Sequence, residues 1–413
     1  MSTIAILGTY DSKGVEHAFL ADKIRARGHR TLLIDAGSLA QPALAVDVPS
    51  SEVAKASGRS DWQEVLKRQD RGECVSLMAA GAQKVLENLV AQGRVDGVIS
   101  LGGGGGTAIC TQAMRALPIG LPKLMVSTLA SGNTAPYVGT RDITMMPAIA
   151  DVAGINRLTR VIFDNAAGAI CGMVEAAAAR QAQGANSQDK PLVVASMFGN
   201  TTACVTRAKE VLEQAGYEVL VFAATGNGGR SMEALIESGL VSGVLDITTT
   251  EWADELCGGV LSAGPTRLEA AGKMGLPAVV APGCLDMVNF GEAASVPAQY
   301  KDRCFYVHNA QVTLMRTTAA ENRELGRIIA AKLNAYSRPP QVMVPTRAIS
   351  VISAKGKPFH DAQADAALLQ SLRDHLKPEV SLHTLDCEIN DPLFAEACAK
   401  ALLDAMAAAK ASS

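Results

Sequence analysis

The chain has 413 residues, which is longer than one ordinary core, and we expect two domains of about 100 to 200 residues each. Its hydrophobic content of 48% and formal net charge of −3 are typical of a globular protein and give no basic excess of the kind that nucleic-acid binding needs. The first residues show no positively charged leader and no apolar run reaches about 18 residues, so we expect a cytoplasmic protein without a membrane span. The nine scattered cysteines form no C-x-x-C pair, which favours reduced core thiols over disulfides or zinc ligands.

The chain opens with a predicted β-α-β unit. An apolar strand at residues 3–7 leads into a polar loop at residues 8–14, a helix to Arg27 and a second strand at residues 30–35. Because ligands bind at the carboxyl edge of open α/β sheets, the loop supplies candidate ligand contacts. These candidates are Gly8, Thr9, Asp11, Ser12 and Lys13. A solvated turn accounts for the same residues equally well.

A polar segment with Pro42 and Pro49 follows, and we interpret residues of about 37–80 as an insertion or flap. A helix is predicted from about Val75 to Gln92, where it leads into the next strand. That strand, which includes Val98 and Leu101, stops in five consecutive glycines.

The five glycines, Gly102 to Gly106, precede a predicted helix that starts at Thr107. Glycine backbone turns sharply and exposes its N–H groups, and a helix N-terminus attracts anions. The stretch therefore predicts an anion site, with phosphate favoured; an ordinary strand-to-helix turn is the alternative, although it needs fewer glycines. The following strand at residues 122–128 ends near Ser131 and Gly132, which we place at the same edge.

The second half repeats this plan. A strand at residues 192–198, a loop at 199–203, a helix at 205–214 and a strand at 217–222 follow a polar linker at residues 181–190. We therefore predict an α/β protein with two Rossmann-like, doubly wound parallel sheets, one in residues 1–185 and one in residues 186–413, with a cleft between them. The last part is predicted as a strand at 349–352, a helix at 362–376, a strand at 381–385 and a helix at 392–410.

Three polar clusters of the second half are candidates for chemistry. The glycine-rich loop that precedes Arg230 is suited to an anion. Glu251 shares a helix face with Asp254 and Glu255, as metal ligands or an acid–base pair do, although a solvated helix start explains them slightly better. His308 lies close in sequence to Arg316 and is a candidate base or ligand; a purely hydrogen-bonding role is the alternative.

Eight phrases of the sequence, in order, resemble one poorly characterised family, named after the amino-terminal ATP-binding domain of the tomato mosaic virus resistance protein. They lie at residues 8–16, 101–107, 127–132, 145–156, 197–202, 224–229, 246–251 and 308–309. The resemblance covers nearly the whole chain and implies two Rossmann-like subdomains and nucleotide binding, but no established reaction. Two positions depart from the family pattern: Ala223 stands where a histidine is common, and Ser12 where a threonine is common.

Our first hypothesis is an ATP-binding protein that uses Mg²⁺, possesses kinase or ligase chemistry, acts on a small anionic metabolite in the cleft and forms a homodimer. The triphosphate is expected on Gly102, Gly103, Gly104, Gly105, Gly106 and Thr107, with Gly8, Thr9, Lys13, Ser131 and Gly132 nearby and Asp11 as the metal ligand. The metabolite is expected on Asn200, Thr201, Thr202, Thr225, Gly228, Gly229 and Thr249, with Glu251, His308 and Arg230 in catalytic roles.

Two other hypotheses remain open. In one, the chain is a non-catalytic, nucleotide-gated binding or scaffold protein. In the other, it is an NAD-dependent dehydrogenase, because residues 96–105 resemble the pyrophosphate loop of iron-type alcohol dehydrogenases. The six histidines lack the close spacing of that metal site, which disfavours the dehydrogenase. The glycine stretch is not a P-loop either, since no lysine precedes Thr107.

Overall fold

A computed structural model of the chain describes residues 1–39, 44–183 and 190–411. The chain divides into two compact units, Met1–Ser187 (unit 1) and Gln188–Ser413 (unit 2). The domain boundary that the sequence predicts near residue 185 lies outside the described residues. Each unit is built around a parallel β-sheet, which confirms the predicted fold class of two mainly parallel α/β domains.

Unit 1 contains a five-stranded parallel sheet with the strand order β2-β1-β3-β4-β5. Its elements, in chain order, are β1 (Thr3–Gly8), α1 (Tyr10–Arg25), β2 (Arg30–Asp35), α2 (Ser50–Ala56), α3 (Trp62–Arg68), α4 (Arg71–Ala91), β3 (Gly97–Gly102), α5 (Gly104–Arg115), β4 (Lys123–Ser127), α6 (Ala135–Val138), β5 (Thr144–Pro147) and α7 (Arg157–Ala182). One apolar cluster packs α2, α4 and α5 against one face of the sheet, and a second packs α1 and α7 against the other. The near-continuous apolar strands suit this burial on both faces.

Unit 2 contains a six-stranded parallel sheet, ordered β14-β13-β9-β8-β6-β7, and a small antiparallel sheet, ordered β10-β12-β11. Its elements are β6 (Leu192–Met197), α8 (Thr202–Gln214), β7 (Glu218–Ala223), α9 (Asn227–Glu237), β8 (Val241–Thr248), α10 (Glu251–Cys257), α11 (Ala270–Lys273), β9 (Ala278–Gly283), β10 (Met287–Phe290), β11 (Phe305–Asn309), β12 (Val312–Arg316), α12 (Ala319–Leu333), β13 (Gln341–Pro345), α13 (Ala362–His375), β14 (Ser381–Leu385) and α14 (Pro392–Ala411). Apolar clusters cover both faces of the large sheet.

The two large sheets share a strand order, because β2-β1-β3-β4 in unit 1 corresponds to β7-β6-β8-β9 in unit 2. The junction between β3 and α5 is therefore the counterpart of the junction between β8 and α10. Unit 1 differs in one connection: α2, α3 and α4 join β2 to β3, whereas α9 alone joins β7 to β8. The additional helices lie within the segment that the sequence marks as an insertion.

The predicted strand at residues 349–352 is wrong. The strand is β13, whose apolar residues pair with β9 and β14, and residues 349–352 form turns beyond its carboxyl end. Ile349 makes its backbone contacts elsewhere, because its N–H donates to Ser353 Oγ and its carbonyl accepts from the Cys284 N–H. A short apolar run is typical of a strand and of a buried turn alike, so the sequence did not separate the two.

Among the described residues, one helix, α7, is long and apolar enough to cross a membrane. A third of its most apolar window is buried within the protein, and Phe163, Ile170 and Val174 pack under the sheet of unit 1. A core helix passes the same test of length and composition. The prediction of a protein without a membrane span stays a prediction.

Candidate functional site

A cavity of about 400 Å³ opens at the carboxyl edge of the sheet of unit 1, which is where parallel sheets bind their ligands. We call it the unit-1 cavity. Its walls come from the loop between β1 and α1, the end of β2, the start of α5 and the junction between α3 and α4. The lining residues include Thr9, Asp11, Ser12, Lys13, Ser38, Gln69, Arg71, Val75, Gly102, Gly103, Gly104, Gly105, Gly106, Ile109 and Asp151.

The helix start of α5 forms one wall of this cavity. The strand runs through Gly102 and the helix already begins at Gly104, so the predicted loop of five glycines is only one residue long and the predicted helix start at Thr107 is wrong. Gly103 caps the helix without a side chain, and the first backbone bond is the one from the Thr107 N–H to the Gly103 carbonyl at 2.8 Å. The N–H groups of the first turn have no acceptor within the helix and belong to residues that line the cavity.

The glycines of this turn are not required by the backbone or by packing. None of Gly104, Gly105 and Gly106 has a positive φ angle. A Cβ atom added to Gly104 or Gly106 would meet no described atom within 4 Å, and one added to Gly105 would make only ordinary contacts at 3.9 and 4.0 Å. Since each helical glycine costs about 0.5–1 kcal/mol relative to alanine, the local fold favours alanine at all three positions. Bare backbone facing a cavity is what a ligand that approaches the amides requires.

The start of α1, by contrast, is occupied by the protein itself. Asp35 Oδ1 accepts hydrogen bonds from the N–H groups of Tyr10 at 3.1 Å and Gly37 at 2.8 Å, and burial raises the pKa of this carboxyl group. Gly8 is also buried, and a Cβ atom there would lie 1.8 Å from Nε2 of His17, so Gly8 is needed for packing and does not line the cavity. Of the two predicted anion-binding ends in unit 1, the start of α5 is therefore the open one.

Two cationic side chains line the unit-1 cavity, Lys13 and Arg71. Lys13 lies at a kink of α1, with φ −128° and ψ 24°, and was predicted from the sequence. Arg71 is the first residue of α4 and was missed, because the segment before α4 was interpreted only as an insertion. Its position after the capping residue Asp70 marks a helix start, which is the signal that sequence reasoning could have used.

Two carboxylates line the same cavity, Asp11 and Asp151. Asp11 Oδ2 accepts from the N–H groups of Ser38 at 2.8 Å and Leu39 at 2.9 Å, so one of its oxygens is already engaged. No group of three or more His, Cys, Asp or Glu side chains suited to a metal ion occurs in the part of the chain that the structure describes. Mg²⁺ commonly uses one or two carboxylates with phosphate oxygens and water, so this pair fits a nucleotide-bound magnesium better than an all-protein site.

Three further residues predicted for this site lie outside the cavity lining. The Thr107 side chain is buried, and its Oγ1 lies 2.7 Å from Ser127 Oγ in a hydrogen bond. Ser131 and Gly132 are exposed in the turn after β4 and are not among the lining residues.

In unit 2, the counterpart junction is filled by its own side chains. Glu251, the first residue of α10, is buried, and its Oε1 accepts from the N–H groups of Gly226 at 2.7 Å and Gly229 at 3.1 Å. These amides belong to the glycine-rich loop at the start of α9 that the sequence predicts as an anion site. The predicted substrate loop thus holds a carboxylate of the same chain, and a Cβ atom at Gly229 would lie 2.2 Å from Glu251 Oε2.

Arg267 holds Glu251 in place. Its Nε lies 2.7 Å from Glu251 Oε2, and its other nitrogens contact Asp246 at 2.6 and 2.7 Å and Glu233 at 3.1 Å. Burial raises the pKa of Glu251, whereas the charge of Arg267 acts in the opposite direction. An arginine that is completely buried among three carboxylates is a fixed structural cluster, because each charge depends on the others for its compensation.

The other predicted residues of unit 2 are engaged in internal contacts or lie apart. Thr249 is buried and donates to the Ala281 carbonyl, Thr201 bonds to Thr248, and Thr225 donates to the Ala223 carbonyl. Thr202 donates to the carbonyls of Phe198 and Gly199, Asn200 contacts the sulfur of Met287, and Gly228 packs against the Ala223 carbonyl. Arg230 bonds to the Ser262 carbonyl and to Asn227.

His308 and Arg316 are not brought together. They lie on the antiparallel strands β11 and β12, with His308 near the hairpin tip and Arg316 at the far end of its strand. His308 is exposed, whereas Arg316 is buried and bonds to the Phe359 carbonyl and Asp365. The spacing in sequence suggested a cluster because the hairpin turn between them was not recognised.

A second cavity, of about 600 Å³, lies at the carboxyl end of β13 in unit 2. It has an apolar floor that includes Ile349 and Leu368, and it contains none of the predicted site residues. The neighbouring start of α13 is capped by Asp361, which accepts from the N–H groups of Gln363 and Ala364. This cavity therefore lacks the open helix start that distinguishes the unit-1 cavity.

Two sequence profiles match nearly the whole chain. The N-terminal domain of an uncharacterised protein family, UPF0261, matches residues 2–179, and the C-terminal domain of the same family matches residues 190–406. The chain belongs to the UPF0261 family. This result confirms the resemblance found in the sequence, and it assigns no activity.

Relatives of this family occur in bacteria and plants. A UPF0261 protein of Clostridium tetani is 49% identical over 404 residues and covers 98% of both chains. One of Mesorhizobium japonicum is 46% identical over 408 residues, which is 98% of this chain and 99% of that protein. The ToMV susceptible protein tm-1(GCR26) of Solanum lycopersicum is 39% identical over 359 residues; these are 86% of this chain but only 48% of the plant protein.

Solved structures resemble the chain only weakly. UDP-N-acetylglucosamine 2-epimerase from Rickettsia bellii has a TM-score of 0.22 and 10% identity, over 67% of this chain and 78% of that protein. MurG from Acinetobacter baumannii has a TM-score of 0.22 and 13% identity, over 92% and 97%. Likenesses at this level carry no argument about the ligand.

Proposed function

We propose that the chain binds ATP, together with Mg²⁺, in the unit-1 cavity. The observation that carries this proposal is the start of α5, where three glycines that the local fold does not need present uncapped amides to a cavity. Phosphate oxygens are the natural acceptors for such amides, because the positive end of the helix dipole adds to the hydrogen bonds.

The charges of the cavity support a polyphosphate rather than a single carboxylate. Lys13 and Arg71 line it together with the α5 amides, so several positive groups face one space. A nucleoside triphosphate distributes its negative charge over three phosphate groups and matches this arrangement better than a singly charged acid. Apolar side chains of the lining, Val75 and Ile109 among them, offer contacts to a base.

Asp11 and Asp151 are the residues that would hold the magnesium ion. When bound, this ion would neutralise phosphate charge and orient the phosphate oxygens. The residues of the chain itself position the phosphates on α5 and keep Asp11 oriented through the Ser38 and Leu39 amides.

For the reaction we carry two proposals. One is ATP-dependent phosphoryl transfer or ligation on a small anionic metabolite. The other is nucleotide-gated binding without turnover, and the internal contacts of Glu251 and Arg230 favour it, because these proposed catalytic groups are already bonded within unit 2. Release of ADP or phosphate, measured in the presence of candidate acids, distinguishes the two.

The test is calorimetric titration of the full chain with ATP and with NAD, each with and without Mg²⁺, and with a Gly104→Asp variant. We expect saturable ATP binding that weakens without Mg²⁺ and falls about 100-fold or more in the variant, since a carboxylate there repels phosphate and competes for the amides. An acidic residue in the first turn of a helix is compatible with the dipole, so the fold should be retained.

The matched control is Gly199→Asp, which makes the same change at a strand-to-helix junction of unit 2 where an added Cβ meets no described atom within 4 Å. ATP affinity should stay within about twofold of the wild type. Equal loss in both variants, or a preference for NAD, contradicts the proposal.

A further inference from the structure

The junction between α3 and α4 supplies a part of the unit-1 cavity that belongs to neither of its strand ends. Gln69 ends α3 with a positive φ of 54°, a conformation that side-chain-bearing residues seldom adopt. Asp70 then caps α4 by accepting from the Glu73 N–H at 2.8 Å, and Arg71 is the first helical residue. Strained backbone of this kind persists where the surrounding structure holds it and is common at ligand sites.

Arg71 faces the start of α5. A Cβ atom added to Gly105 would lie 3.9 Å from Arg71 Nη2, so the guanidinium borders the same space as the exposed amides. Its neighbours in sequence are already paired: Arg68 contacts Glu73, and Arg59 contacts Asp61. In the described ranges of the chain, Arg71 forms no salt bridge within 4.0 Å, although it borders a cavity that contains two carboxylates.

We propose that Arg71 clamps the outer phosphates of the bound nucleotide and thereby selects di- and triphosphates over monophosphates. This inference rests on the proposed nucleotide site and names the residue that sets its specificity. The α5 amides bind one phosphate group, and the guanidinium donates to oxygens of a phosphate beyond it. Arginine suits this role because its planar group presents several donors in a fixed geometry that matches phosphate.

Calorimetric titrations of the full chain with ATP, ADP, AMP and inorganic tripolyphosphate test the clamp. In Arg71→Ala, we expect affinity for ATP and tripolyphosphate to fall about 10- to 100-fold, while affinity for AMP changes less than about twofold. Arg71→Lys keeps the charge but loses the paired donors, so it should restore only part of the ATP affinity. Arg59→Ala is the matched control, since it removes one exposed arginine of the same unit that is paired with Asp61.

The outcomes separate this inference from the proposed function. If the wild type binds ATP and Arg71→Ala keeps the ratio of ATP to AMP affinity, the clamp is wrong and the ATP site stands. If tripolyphosphate binds in an Arg71-dependent way and no nucleotide binds, the ATP proposal is wrong and the clamp stands. Binding of neither ligand by the wild type contradicts both. Equal losses in Arg71→Ala and Arg59→Ala would reduce the effect to general charge and overturn the clamp.

Discussion

The junctions β3–α5 and β8–α10 occupy the same place in the same strand order but are filled in opposite ways. In unit 1, the helix starts with Gly104, Gly105 and Gly106, and its amides face a cavity. In unit 2, the corresponding helix starts with Glu251, which is buried and bonds to amides of the neighbouring helix start. One junction leaves room for an anion, and the other supplies its own.

This difference teaches that a helix start is an anion site only when the protein does not supply the anion. The start of α9 has glycines and amides as an anion-binding loop does, yet Glu251 already accepts from them. The start of α1 is likewise occupied by Asp35. We therefore expect one nucleotide site per chain, in unit 1.

Removing the internal anion of unit 2 should have the largest effect. Glu251→Ala leaves the Gly226 and Gly229 amides unpaired and withdraws one partner from the buried Arg267, which should lower the free energy of unfolding of unit 2 by about 3–5 kcal/mol. Urea unfolding monitored by Trp252 fluorescence in a Trp62→Phe background measures this change, because these are the two tryptophans of the chain.

The matched variant Glu251→Gln keeps the acceptor for the two amides and should lose less stability than Glu251→Ala. ATP affinity should stay unchanged in both variants. If Glu251→Gln instead leaves stability intact and abolishes ATP turnover, Glu251 is catalytic and the comparison of the two junctions fails.

The two units should also respond to pH in opposite directions. Burial lowers the pKa of His17 in unit 1 from 6.5 to about 4, so the unfolded chain binds the proton first and unit 1 loses stability as the pH falls from about 6.5 to 4. Burial raises the pKa of Asp254 in unit 2 from 3.8 to about 7. The folded state then holds the proton more tightly, so unit 2 loses stability as the pH rises from about 4 to 7.

We expect changes of about 2–4 kcal/mol across these windows, at about 1.4 kcal/mol per pKa unit. Unfolding is followed at each pH by Trp62 in a Trp252→Phe background and by Trp252 in a Trp62→Phe background. Asp254→Asn should flatten the unit-2 profile, although Asp286, whose pKa burial raises to about 6, contributes in the same direction. Parallel profiles in the two units would contradict the assignment.

The smallest expected effects come from exchanging the character of the two junctions. Gly104→Ala should raise the free energy of unfolding of unit 1 by about 0.5–1 kcal/mol, because the position has room and alanine favours the helix. It should also weaken ATP binding several-fold, since the added methyl group covers the amides. Thermal unfolding and calorimetry measure the two changes.

The counterpart change is Thr249→Ala in unit 2, which removes the hydrogen bond from the buried hydroxyl to the Ala281 carbonyl. It should cost about 1 kcal/mol and leave ATP binding unaltered. A destabilising Gly104→Ala would show that the glycines serve the fold, and the main argument for a ligand would be lost.

Much of unit 1 was predictable because its information is local. The alternation of short apolar runs and polar loops predicted β1, β2, β3 and β4 and the helices between them. The carboxyl-edge rule then grouped Thr9, Asp11 and Lys13 with the glycines, and all of them line the unit-1 cavity. Arg71 was missed because its approach to α5 depends on how the inserted helices pack.

The candidate site of unit 2 was not predictable in the same way. Glycines, threonines and acids at strand ends have the same appearance in sequence whether they face a ligand or each other. Glu251 and the Gly226 amide are 25 residues apart, and only the packing of α10 beside α9 brings them within 2.7 Å.

The sequence by itself determined the family, the fold class and the repeated strand-and-helix plan, because hydrophobic periodicity and turn residues act over short distances. Only the tertiary structure decided which helix starts are open, since a buried carboxylate is compensated by whichever amides and arginine it meets in space. In this chain that contact closes the starts of α1 and α9 and leaves the start of α5 free.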